Sequence, residues 1–167
     1  CLPKTAWPPT LTAAGLTLYA KGGYSDTVSV INVPEGLTDT QILNTMRDDY
    51  NILIAGCFDI LAGKVFRIGH MGENANIRDV AETLSALDKT FKKLNYHLNC
   101  SMADVFIDEI NKLISKYNKN LCFVSEDLHN RDNKTQWKLI KQVNHNLEKE
   151  IILCTDHPED AKEFFYD

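Results

Sequence analysis

Apolar positions along this chain follow two rhythms. Between residues 76 and 98, Ile77, Val80, Ala81, Leu84, Leu87, Phe91, Leu94 and Leu98 recur at three- and four-residue steps. That spacing gathers one apolar stripe on an α-helix. The opposite face carries Arg78, Glu82, Lys89, Lys92 and Lys93, and the late lysines suit the negative end of the helix dipole. Upstream, Thr27–Val33 sets Val28 and Val30 against Ser29 and Asn32 and stops at Pro34-Glu35-Gly36, which predicts a strand. Thr38, with Gln41 three positions on, predicts a capping box on a helix over 39–49. Ile52–Ala55 reads as a short strand, and Lys64–Ile68 as another bordered by Gly63 and Gly69. Near the start, Trp7-Pro8-Pro9 reads as extended or turned chain, because proline disfavours helix for the residue before it. Residues 10–20 then read as a short helix or an irregular packing segment.

From Asn99 onward the pattern simplifies. Met102, Val105, Phe106, Ile110, Leu113 and Tyr117 predict a helix over 101–117. A strand at Leu121–Val124, a polar loop, a helix over 134–147, a strand at Ile151–Cys154 and a last helix from Pro158 follow. Two short, solidly apolar strands flanking a helix predict a parallel β-α-β unit. The expected fold class is therefore α+β. A small, mostly antiparallel sheet with helices on one face fills residues 1–98, and a helix-rich α/β extension of unassigned role fills residues 99–167.

Composition sharpens that division. All eight glycines lie at or before Gly72, so tight backbone turns belong to the first part. Of the formal net charge of −5, −1 falls on residues 1–98 and −4 on residues 99–167. A mildly acidic chain argues against a nucleic-acid binder, and no run approaches the ~18 apolar residues of a membrane helix. Cys1, Cys57, Cys100, Cys122 and Cys154 are odd in number and contain no C-x-x-C pair. They are expected to be reduced thiols in a cytoplasmic protein. Cys57, Cys122 and Cys154 sit in or beside apolar runs, where a free cysteine acts as a small hydrophobe. The chain opens on Cys1 without an initiator Met and reads as cut from something longer.

Several segments carry candidate chemistry. Arg67 lies between Phe66 and Ile68 in the glycine-bordered strand, and a strand side chain points away from both neighbours. Its planar fork suits a carboxylate; the other reading is an exposed or ion-paired strand arginine. His70 is a ligand or proton carrier, or a turn residue bonded to backbone. Met71 reads as packing. Asp48-Asp49 reads as a solvated helix end, because adjacent helical residues do not face each other. Ser125-Glu126-Asp127 and Thr155-Asp156-His157 follow the two apolar strands. They would meet at the edge where α/β sheets bind ligands, as a divalent-metal or phosphate site, or with Asp156 capping the helix at Pro158. Trp7, Trp137 and Phe164-Phe165-Tyr166 form either a partner surface or internal packing.

The stretch Gly63-Lys64-Val65-Phe66-Arg67-Ile68-Gly69-His70-Met71-Gly72, with Val33-Pro34-Glu35-Gly36 upstream, resembles the C-terminal small domain of class V aminotransferases. The resemblance is to the alanine–glyoxylate and serine–pyruvate branch and runs from about residue 12 to about residue 98. It implies an amino-acid to 2-oxo-acid amino transfer with pyridoxal phosphate, in a homodimer, with Arg67 binding the substrate carboxylate. In that family the Schiff-base lysine and the phosphate cup precede the small domain, and no lysine here stands in the Schiff-base context. The resemblance thus implies a C-terminal fragment that is inactive by itself, with no catalytic, cofactor-binding or metal residue of its own. The alternative is a stand-alone binding or regulatory module that kept the small-domain fold. Gly56 is followed by Cys57-Phe58-Asp59, bulkier than the family's glycine-rich turn, and residues 99–167 match nothing typical of the family.

Overall fold

The computed structural model describes residues 2–23, 25–72, 75–117, 121–129, 131–142 and 151–166. The chain divides into two compact units, Cys1–Phe106 and Ile107–Asp167. Helices and strands are mixed in both, and the fold is α+β. No described helix is long and apolar enough to cross a membrane.

The first unit begins with α1 (Leu2–Ala13), which runs through Pro8 and Pro9. The expectation of extended or turned chain at Trp7-Pro8-Pro9 is corrected. Each proline removes a helical hydrogen bond, but Ala6, Trp7, Leu11 and Ala14 are buried, and each large side chain removed from water contributes about 1.5–3 kcal/mol. Thr10 and Thr12 also donate their hydroxyls to the carbonyls of Ala6 (2.8 Å) and Pro8 (3.0 Å). Gly15 ends the turn at φ 90°. A Cβ there would lie 2.9 Å from Asn99 Nδ2, so both the backbone angle and the space require glycine. Residues 10–20 are therefore split: the first part closes α1, and Leu18 bridges antiparallel to Ile31.

The sheet of this unit has three antiparallel strands in the order β1 (Val28–Asn32), β3 (Val65–Gly69), β2 (Ala55–Gly56). The register sets Val30 and Ala55 on either side of Arg67. β2 starts three residues later than Ile52–Ala55 predicts. Asn51 closes the preceding helix in the left-handed conformation, at φ 55°, and the amide of Ile52 still bonds back to Met46. Residues 52–54 are thereby spent on leaving the helix.

Helix α2 (Asp39–Tyr50) carries the full capping box: the Thr38 hydroxyl accepts from the Gln41 amide and the Gln41 side chain accepts from the Thr38 amide. Helix α3 (Ile77–Lys93) starts at Asn76, whose side chain accepts from the Asp79 amide at 2.8 Å. It stops earlier than the stripe predicts, because Asn95 turns left-handed at φ 56°; Leu94 and Leu98 lie beyond the helix. Ile31, Ile42, Met46, Phe66, Leu84, Leu87 and Phe91 are fully buried and form the core of this unit. Thr90 donates to Met46 Sδ at 3.2 Å inside it. Helix α4 (Met102–Tyr117) has its first turn held by Asp88. The amide of Met102 lies 3.1 Å from each carboxylate oxygen.

In the second unit β4 (Leu121–Val124), α5 (Lys134–Gln142) and β5 (Ile151–Cys154) form the expected parallel β-α-β arrangement, and α6 (Pro158–Tyr166) follows. Residues 143–147 of the predicted helix lie outside the described residues. Trp137 is buried; it donates to Ser125 Oγ at 2.8 Å and lies 5.5 and 5.8 Å from the rings of Phe164 and Phe165. Trp137 packs with the half-buried Phe164 and Phe165, whereas Tyr166 of the same expected cluster is 86% exposed; Trp7 lies against His70 in the first unit. Cys122 and Cys154 are exposed, which corrects their reading as packed hydrophobes. Strand alternation turns them outward while Phe123, between Cys122 and Val124, turns in.

Candidate functional site

Strand β3 turns Phe66 and Ile68, both buried, to one face and Val65 and Arg67 to the other, where Val65 is buried and Arg67 is half-buried. Its Nε donates to the carbonyl of Gly56 at 2.9 Å, and its guanidinium carbon stands 5.8 Å from the Phe58 ring centroid. The bulky turn after Gly56 thus supplies one wall of the arginine's surroundings. Phe58 is 82% exposed, so this wall is open to solvent. No acidic side chain among the described residues forms an ion pair with Arg67. With Nε tied to backbone, the two Nη groups remain as the edge able to grip a planar anion. The Gly56 carbonyl and the Phe58 ring are the two neighbours that the sequence reading did not assign. Only the pairing of β2 with β3 brings them to Arg67.

His70 follows β3 on the buried side. Its amide donates to the Thr27 carbonyl at 2.9 Å, and Nε2 is 3.1 Å from Ser29 Oγ. Burial is the largest influence on it and pushes its pKa down, against smaller opposing effects from the carbonyls of His70 and Asp26 and the Asp26 charge. The neutral ring is the favoured form. Trp7, Ile68, His70, Asp79 and Thr83 line a cavity of about 340 Å³. Arg67, on the opposite parity, does not line it.

The other candidates separate into structural roles. Asp48 pairs with Arg47 at 2.7 Å and Asp49 pairs with Lys93, so the two carboxylates diverge. The two loops after β4 and β5 do meet. Asp127 Oδ2 accepts the Thr155 hydroxyl at 2.9 Å and the Asp156 amide at 2.8 Å. Burial pushes the Asp127 carboxyl up, but the hydrogen bonds from Ser125, Asp156, Thr155 and its own amide together hold it at about 2. Asp156 does not cap α6 as expected. Its amide serves Asp127, and the His157 carbonyl takes the first helical bond, from Ala161 at 3.0 Å. No group of three or more metal-ligating side chains occurs among the described residues.

Pyridoxal phosphate needs a sheltered lysine, and the described residues do not make such a cradle. Lys21, Lys64, Lys89, Lys92, Lys93, Lys112, Lys116, Lys134, Lys138, Lys141 and Lys162 are all exposed. The cationic fork of Arg67 is half-buried and has no acidic partner among the described residues.

Comparison with known proteins places these features in context. An aminotransferase of uncharacterised specificity from Methanocaldococcus jannaschii is 38% identical over 96 residues, which is 57% of this chain and 25% of that protein. The serine–glyoxylate aminotransferase of Hyphomicrobium methylovorum is 50% identical over 62 residues, 36% of this chain and 15% of that protein. The pyridoxamine–pyruvate aminotransferase of Mesorhizobium loti has a solved structure that superposes with a TM-score of 0.62 at 24% identity. That match covers 66% of this chain and 29% of the other and is a likeness of fold. No protein-family model matches the chain. Its homologues include aminotransferases, the serine–glyoxylate type among them, and a protein named as the small subunit of a soluble hydrogenase, from Synechococcus; the chain spans a quarter or less of the length of each.

Proposed function

We propose that this chain acts as the small-domain part of a class V, pyridoxal-phosphate-dependent aminotransferase, and that Arg67 binds the α-carboxylate of the amino-acid or 2-oxo-acid substrate. The single observation that carries the reading is the state of Arg67: half-buried, tied through Nε to the Gly56 carbonyl at 2.9 Å, and without an acidic partner among the described residues. A fork restrained at one edge has lost part of its rotamer freedom before substrate arrives, so less is lost on binding. The cofactor, when bound elsewhere in the enzyme, supplies an electron sink for the substrate α-carbon. The task of Arg67 is to fix the carboxylate and thereby the orientation of that carbon. Under this reading the chain alone is catalytically silent, and the working enzyme is a cytoplasmic homodimer.

The test uses the native gene product. Its intact mass and its absorbance establish whether it carries residues beyond this chain and a bound pyridoxal chromophore. Arg67→Gln is then expected to raise KM for the amino-acid substrate ~10- to 100-fold, from loss of one or two charge-assisted hydrogen bonds of about 1.5 kcal/mol or more each. Arg67→Lys keeps the charge but not the fork, and is expected to recover only part of that loss. A colourless product of this length would count for a stand-alone binding module instead. An unchanged KM in Arg67→Gln would remove the carboxylate role.

A further inference from the structure

Strands β4 and β5 turn Cys122, Val124, Ile152 and Cys154 to solvent, with Val124 50% and Ile152 45% exposed. Their register pairs Cys122 with Ile152 and Val124 with Cys154, so the two cysteines are diagonal neighbours on one open face. Their sulfurs stand 3.7 Å apart.

That separation discriminates between two chemistries. A disulfide needs sulfurs about 2.05 Å apart and Cα atoms within about 7 Å. Diagonal positions two residues out of register are separated by about 6.6 Å along the strand and about 4.8 Å across it, or about 8 Å in all. Closing that bond would therefore displace the backbone of paired strands. A metal held at about 2.3 Å from each sulfur asks for no such movement. With sulfurs 3.7 Å apart, two such bonds enclose an angle of about 107°, near the tetrahedral value.

We propose that Cys122 and Cys154 form a two-thiolate site for a soft, divalent d10 cation of the zinc–cadmium class. Two metal–sulfur bonds form, two S–H bonds break, and two protons leave to solvent, with no change of oxidation state. Both cysteines bind as thiolates, each giving up its proton when the cation arrives. Among the described residues no third His, Cys, Asp or Glu completes a cluster with them. Solvent fills the remaining positions, as exposure of both sulfurs allows.

Cadmium titration of the phosphine-reduced chain tests the site. In a background carrying Cys1→Ser, Cys57→Ser and Cys100→Ser, the sulfur-to-cadmium charge-transfer band is expected to saturate at one cadmium per chain with release of two protons. Adding Cys122→Ser or Cys154→Ser is expected to weaken binding more than about tenfold, because each removes one arm of the chelate. In the unsubstituted chain, cadmium is expected to protect both thiols from alkylation, read by peptide mass, which needs no folded variant. The proposal is overturned by any of four results: no band, one cadmium per two chains, protection of only one of the two thiols, or quantitative formation of a Cys122–Cys154 disulfide with glutathione disulfide.

Discussion

The junction of the two loops in the second unit permits a worked prediction. Asp127 gathers the Thr155 hydroxyl at 2.9 Å and the Asp156 amide at 2.8 Å on one oxygen, and so joins the end of β4 to the turn between β5 and α6. Its carboxyl sits at about 2 in the folded protein, against an ordinary 3.8. Taken at face value, that drop corresponds to about 2.4 kcal/mol. Asp127 keeps part of its surface in water, and screening lowers the expected contribution to about 1 kcal/mol. A carboxylate with a depressed folded pKa stabilises the fold fully above its unfolded value of 3.8 and loses that effect as pH falls through about 2. Asp127→Ala should therefore cost about 1 kcal/mol or more at pH 7 and clearly less at pH 2. Amide hydrogen exchange of the peptides over 121–129 and 151–157, read across a urea series at each pH, measures this locally. Equal destabilisation at both pH values would show that Asp127 acts through packing and not through its charge, and would refute the reasoning.

Two further outcomes follow from the first unit. Burial keeps His70 below its ordinary 6.5, so the folded state binds fewer protons than the unfolded one. Melting temperature should fall as pH drops below 6.5, and His70→Gln, which can still hydrogen-bond Ser29, should flatten that slope; an unchanged slope would rule out His70 as its source. Thr38→Ala removes one half of the capping box on α2 and should cost about 1 kcal/mol by urea denaturation. Thr38→Ser, which keeps the hydroxyl, should recover most of it.

Elements whose signal is local were legible along the chain. The capping box at Thr38 and Gln41, the apolar stripe of α3 and the two apolar strands around α5 each appear in the structure near their expected positions. The aminotransferase likeness was legible too, because it rests on a short block around Arg67 that keeps its residue order. The misses have two causes: some were decided by partners distant in sequence, while the late start of β2 and the early end of α3 were set by the left-handed turns at Asn51 and Asn95. Pro8 and Pro9 remain in a helix because Trp7 and Leu11 are buried, and local preference yields when burial outweighs it. Asp156 misses the cap by one position: α6 starts at Pro158, so His157 stands at the cap and its carbonyl takes the first helical bond, from Ala161.

What the sequence alone determined, then, is most of the helices and strands, though not the helix through Pro8 and Pro9 or the start of β2, and which arginine is the candidate for the chemistry. Periodicity, caps and turn residues act within a few positions, where the chain's own geometry brings groups together. What only the tertiary structure decided is the company each side chain keeps. The Gly56 carbonyl on Arg67 and the contact between Cys122 and Cys154 depend on strand register. Register is a long-range choice, set by the sum of buried faces and ladder bonds rather than by any one residue.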